Sequence, residues 1–104
     1  AFKAKMDRQA PSVAADLLFD EAYEIVENFE EASALQAAMA LANRSDEKLS
    51  SFRARMLKAY IAYLQKENEK ANQFLAEARS QVKSPEQLRN LEKLQKLVEE
   101  NTEE

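Results

Sequence analysis

The 104-residue chain has no glycine, no cysteine, no histidine and no tryptophan, and only two prolines. Each absence removes something. Glycine supplies the positive-φ positions of tight hairpin turns and the close backbone approach of phosphate-cradling loops, so its lack argues against a β-sandwich or a nucleotide-binding α/β domain. Without cysteine there are no disulfides and no thiolate metal sites, which leaves the compartment open. Without histidine the commonest general base and metal ligand is gone. With both missing, the usual nucleophilic triads, zinc sites with nitrogen or sulfur ligands and the Glu-x-x-His pair of di-iron bundles are all out of reach. No apolar run approaches the ~18 residues of a membrane span. The expectation is a chain that is not an enzyme, with no cofactor, no metal site, no membrane span and no small-molecule substrate.

What fills the chain is alanine, leucine, glutamate, lysine, glutamine and methionine, the strong helix formers. The fold class expected is therefore all-α: a small antiparallel helical bundle, or a short array of helical hairpins, with three to five helices. A single all-helical domain is expected over 12–100, preceded by a loosely ordered lead-in over 1–11 and followed by a frayed acidic tail over 101–104. The net charge of −4 favours solubility and argues against general nucleic-acid binding. It is unevenly spread, with residues 12–49 strongly acidic and 50–83 basic. Such blocks suit two neighbouring elements that attract each other, or a charged partner.

Two breaks are well marked. "NRSDE", Asn43 to Glu47, offers Ser45 as an N-cap followed by two acids. At the second break, Ser84 caps, Pro85 takes the first helical position and Gln87 stands where a capping box needs it. Asn28 and Asn68 are further candidate N-caps. If both interrupt the chain, five helices result, over roughly 12–27, 29–43, 46–66, 69–83 and 85–100. If neither does, three helices remain, two of them near 50 Å long at about 1.5 Å per residue. Periodicity supports the long form: Leu18, Ala22, Ile25, Phe29, Ala32, Leu35, Met39 and Ala42 run straight through Asn28. Leu57, Ile61, Leu64, Asn68, Ala71, Leu75, Ala78 and Val82 likewise make a heptad seam.

The chain also echoes itself. "RSDEKL" from Arg44 and "KSPEQL" from Lys83 align at an offset of 39, and "EAYEIV" from Glu21 and "KAYIAY" from Lys58 at an offset of 37. Periods of this length, two helices each, belong to helical-hairpin arrays. "MLKAYIAYLQKENEKANQFLAEA", Met56 to Ala78, resembles a tetratricopeptide repeat, with a central tyrosine in its first helix, a polar turn and a second helix reading "KAxxFLxxA". Pro85 stands where such a repeat closes. The glycine and Trp-Leu-Gly elements of that family have no counterpart, and the period is longer. The resemblance implies stacked helical hairpins that serve as a binding scaffold.

Two surface constellations stand out. Asp20, Glu24, Glu27 and Glu31 recur at spacings of 4, 3 and 4, a carboxylate face suited to a basic partner or to solvent. Beside them Phe19, Tyr23 and Val26 form a second apolar stripe next to the Leu18 stripe, so the first helix is apolar over an unusually wide arc. These seven residues are the candidate partner-binding set. Arg53, Arg55 and Lys58 lie next to Tyr60 and Tyr63, a pattern that could stack on single-stranded nucleic acid, but whose tyrosine spacing favours core packing. Leu88, Leu91, Leu94 and Leu97, with Val98, suit a closing helix whose charged side faces out. The functional expectation is a non-catalytic scaffold or adaptor domain that presents a helical face or groove to a protein partner. The alternatives are a structural bundle that forms homo-oligomers through the Leu57–Val82 seam, and a small acidic regulator of a basic protein.

Overall fold

The computed structural model describes residues 11–29 and 31–103, which form five helices and no strand. They are α1 (Pro11–Asn28), α2 (Ala32–Lys48), α3 (Phe52–Leu64), α4 (Asn68–Arg79) and α5 (Pro85–Glu103). The all-α expectation is met, in its five-helix form. Where the sequence suggests one domain over 12–100, contacts divide the chain into two compact units that meet in sequence at Ser50 and Ser51. Of the expected lead-in only Pro11 is described, as the first residue of α1, where its missing N–H costs nothing. The tail expected over 101–104 is helical as far as Glu103.

In the first unit α1 and α2 pack as a hairpin. The apolar row that runs through Asn28 on paper does not make one helix. Asn28 ends α1, its side-chain Nδ2 donating to the Glu24 carbonyl at 2.8 Å. It therefore closes the helix before the turn and does not cap the one after it. The N-cap of α2 is Glu31, extended at φ −64° and ψ 146°, with no side-chain cap bond. The core between the helices is built mainly from alanine: Ala14, Ala15 and Ala22 with Leu18 on α1, facing Ala38 and Ala42 with Leu35 on α2. Leu17 and Leu41 pack at its edge.

The break expected at "NRSDE" is absent. Ser45 lies inside α2, 2% exposed, and its hydroxyl donates to the Ala15 carbonyl of α1 at 2.7 Å. The row Leu35, Ala38, Ala42, Ser45 keeps helical spacing on the buried side, and that packing outweighs the local preference of serine and aspartate for a cap. The chain turns later. Leu49 is the C-cap of α2, and Ser51 is the N-cap of α3, accepting from the Ala54 N–H at 3.2 Å.

In the second unit α4 packs on α3 and on α5, and α3 touches α5 lightly. The heptad seam is cut after Leu64. Gln65 closes α3, and Lys66 takes the left-handed conformation at φ 62°. The Lys66 N–H reaches the Tyr63 carbonyl at 3.0 Å and the Glu67 N–H reaches Ala62 at 2.9 Å. That pair of bonds is the Schellman closure, usually made with glycine at the left-handed residue. In a chain without glycine a lysine fills the position, at a steric cost of about 1 kcal/mol. Asn68 then starts α4 but does not cap it; Glu67 is the N-cap, and the Asn68 Oδ1 accepts from Asn101 Nδ2 at 3.0 Å. Leu57, Ile61, Ala71, Leu75 and Ala78 of the seam are all buried within the chain.

The start of α5 follows the sequence reading. Ser84 Oγ accepts from the Gln87 N–H at 3.2 Å, while the Gln87 side chain reaches back to the Lys83 N–H at 2.7 Å. Along α5, Leu91, Leu94 and Val98 are buried but Leu97 is 42% exposed. An i+3 leucine row slips about 60° per step around a helix of 3.6 residues per turn, so its last member leaves the packed side.

Candidate functional site

The candidate set is carried by α1, and the hairpin fixes how it is displayed. Ala14, Ala15, Leu18 and Ala22 face α2, which turns the opposite side of α1 outward. Successive residues advance about 100° around the axis. Phe19, Tyr23 and Val26 therefore occupy one flank, and Asp20, Glu24 and Glu27 the outermost side. Phe19 and Val26 are half-buried, Tyr23 is 47% exposed, and the three carboxylates are exposed. The Phe19 and Tyr23 rings stack one helical turn apart, with centroids 6.0 Å apart and planes at 20°. Stacking lets a large exposed ring keep part of its apolar area covered while presenting the rest as a rigid surface.

Six of the seven candidates share this helix. Glu31 does not join them: the helix ends three residues before it, and its backbone belongs to the start of α2. The 4-3-4 carboxylate row thus loses its last member at the turn. In exchange, Asp16 extends the row backwards. It stands one turn before Asp20 and is exposed, and its i−4 spacing was the signal that could have found it. Val13, also exposed, lies on the same outer side. No lysine or arginine occurs anywhere in α1.

The second constellation is rearranged. Of Arg53, Arg55 and Lys58, only Arg53 is exposed. Lys58 is 7% exposed, its Nζ 4.7 Å from the centroid of the Phe74 ring. Arg55 donates through Nη1 to the Glu77 carbonyl at 3.3 Å. Two of the three cations are thus drawn into the protein, their alkyl stems covering apolar surface. Tyr60 and Tyr63 stack on each other at 6.2 Å, yet Tyr60 remains 39% exposed, so the core position expected for it is not taken. On α4 and α5 a groove of about 690 Å³ is lined by Arg79, Arg89, Lys93 and Lys96 together with Glu92 and Glu99. All of these are exposed charged side chains, which suits a solvated surface.

Among the described residues, no group of three or more histidine, cysteine, aspartate or glutamate side chains could hold a metal ion, and no helix is long and apolar enough to cross a membrane. No known protein family, no curated protein and no solved structure matches the chain.

Proposed function

We propose that this chain is a non-catalytic protein-interaction domain whose α1 flank, Phe19, Tyr23 and Val26, docks a helical segment of a partner. One observation carries the reading. A stacked aromatic pair stands half exposed on the outward side of a hairpin, bordered by a continuous row of carboxylates. Aromatic side chains with a covered base and an exposed edge are typical anchors of protein interfaces, since they bury much area while losing little rotamer freedom. The helix-in-groove and helix-on-face modes of recognition need such anchors at i, i+4 and i+7, and Phe19, Tyr23 and Val26 have that spacing.

The helical-hairpin repeat reading belongs to the same proposal. At the offset of 37, Ala22 pairs with Ala59, both fully buried, and Tyr23 pairs with Tyr60, both exposed. Within each pair, one residue sits on α1 and the other on α3, the first helix of each hairpin. Equal treatment of equivalent residues supports two related copies. Self-association through the Leu57–Val82 seam has less support, since most of the seam is already buried and Lys66 and Glu67 interrupt it.

The test is a selection of helical peptides on the full chain, followed by rebinding to Tyr23→Ala. Peptides that use this flank should bind the variant at least ~10-fold more weakly, a loss of about 1.4 kcal/mol. No enriched peptide, or peptides that bind both proteins equally, overturns the reading.

A further inference from the structure

We infer that α5 is an exchangeable helix: within its own chain it fills a docking face on the α3–α4 hairpin, and the α5 of a second copy fits the same face. Helix α5 lies on α4 and touches α3 lightly, and little of what shapes it depends on that contact. The bonds that finish α4 are local. Ser80 Oγ donates to the Glu77 carbonyl at 2.7 Å, and the Gln81 and Val82 N–H groups reach the Ala78 and Arg79 carbonyls at 2.9 and 3.3 Å.

The bonds that start α5 are local too. The Ser84 and Gln87 box closes on itself, and the Leu88 N–H reaches the Ser84 carbonyl at 3.1 Å. These closures lie within residues 77–88 and do not require α5 to rest on α4. Further along, Glu92 and Lys96 stand at i,i+4 in the order that favours a helix. What α5 gives up on leaving is the burial of Leu91, Leu94 and Val98.

The seam beneath α5 is incompletely filled. Leu75 is buried, yet beside it a cleft of about 280 Å³ opens, lined by Asn72, Leu75, Ala76 and Arg79 of α4 and Gln95 of α5. Protein interiors hold few voids larger than a water molecule, so α5 forgoes part of the contact that close packing gives. Arg79 Nη2 donates to Gln95 Oε1 across this seam at 2.7 Å, but both side chains stand in water. The part-buried bond from Asn101 to Asn68 is of another kind. It fixes register, because a helix seated one turn away leaves Asn68 without that partner.

An incoming helix therefore needs apolar residues spaced as Leu91, Leu94 and Val98 are, with asparagine three places further on. A second copy's α5 has them all. Exchange buries the same residues as the closed chain, so it needs no exposed seam. The five-residue tether, 80–84, keeps a chain's own α5 at an effective concentration of about millimolar, and below that the closed form prevails.

The experiment uses the full chain carrying Leu91→Asp and Val98→Asp, which unseats its own α5, and a labelled peptide of residues 85–103. Anisotropy should show the peptide binding this chain at least ~100-fold more tightly than the native chain, whose tethered α5 competes. No binding by a double variant that still unfolds cooperatively, or equal binding by variant and native chain, overturns the inference. Binding that a further Tyr23→Ala removes places the peptide on α1 and overturns it as well. If the double variant unfolds, a second chain decides. Ser80→Ala, Val82→Ala, Ser84→Ala and Pro85→Ala together join α4 and α5 into one helix that cannot fold back. Sedimentation should then show a dimer, which Leu91→Asp in the same chain dissolves. A monomer, or a dimer indifferent to Leu91→Asp, overturns the inference.

Discussion

The two units solve the same problem, burying helices in a short chain, with different materials. Among the described residues, the α1–α2 hairpin buries Ala14, Ala15, Ala22, Ala38 and Ala42 with two larger apolar side chains, Leu18 and Leu35. The α3–α5 unit buries as many alanines, Ala54, Ala59, Ala62, Ala71 and Ala78, and adds six larger side chains, Leu57, Ile61, Leu75, Leu91, Leu94 and Val98. Small residues let helix backbones approach closely, and only at such a distance can the short Ser45 side chain reach a carbonyl of the opposite helix. Larger residues give more apolar burial per position and can shift to fill a gap. The units differ in their charges as well: the acids of α1 are exposed, whereas the second unit draws Lys58 and Arg55 inward. A core with only two large side chains has little that can repack, whereas one with six can adjust.

The comparison breaks most visibly at the largest side chains. Leu18→Ala should cost about 3–5 kcal/mol, because the alanines around it have nothing to extend into the space, while Leu91→Ala should cost about 2–4 kcal/mol, since its leucine neighbours can relax. Urea unfolding of the two variants checks this, and an equal or reversed order ends the contrast between the cores. Next in size is overpacking. Ala38→Leu should destabilise by about 1–3 kcal/mol by forcing α1 and α2 apart, and amide hydrogen exchange in both helices should speed up with it.

Smaller effects sharpen the distinction between helix ends and helix interiors. Ser84→Ala should cost about 1 kcal/mol through loss of a cap, and Ser45→Ala about 1 kcal/mol through loss of a buried hydrogen bond. Only the first should be rescued by aspartate, because a cap needs an acceptor, whereas Ser45 is a donor in a closed space; thermal melts of the four variants separate the two roles. The smallest expected effect is a gain. Lys66→Gly removes the steric cost of the left-handed residue and should stabilise by up to ~1 kcal/mol, less the added freedom of glycine in the unfolded chain. An unchanged melting temperature would count against strain at that turn.

Much of this was legible in the sequence, and the failures have physical causes. Composition gave the all-α class, and the Ser84, Pro85 and Gln87 cluster gave the start of α5, because a cap, a proline and a capping-box partner agree locally. Ser45 misled for the opposite reason: its neighbours look like a cap, but its own place on the buried row is decided by α1, thirty residues away. A break near Asn68 was expected, but not its left-handed residue, because the usual signal for that conformation is glycine and here Lys66 holds it. On the candidate face, spacing placed Phe19, Tyr23, Val26, Asp20, Glu24 and Glu27 on one helix. Glu31 shares that face only if the helix runs on through Asn28, and the helix ends there.

The bond between Ser45 and Ala15 has a further consequence, for alignment. A seam of alanines is nearly smooth, so one helix could slide along the other by a turn with little change in packing. Such a sliding pair would blur the position of everything displayed on its outer side. A single directional contact picks one alignment out of several near-equals, as a lone polar residue does in a coiled-coil seam. The hydroxyl in this core thus works like the detent on a sliding scale, and what it holds in place is the outward face of α1.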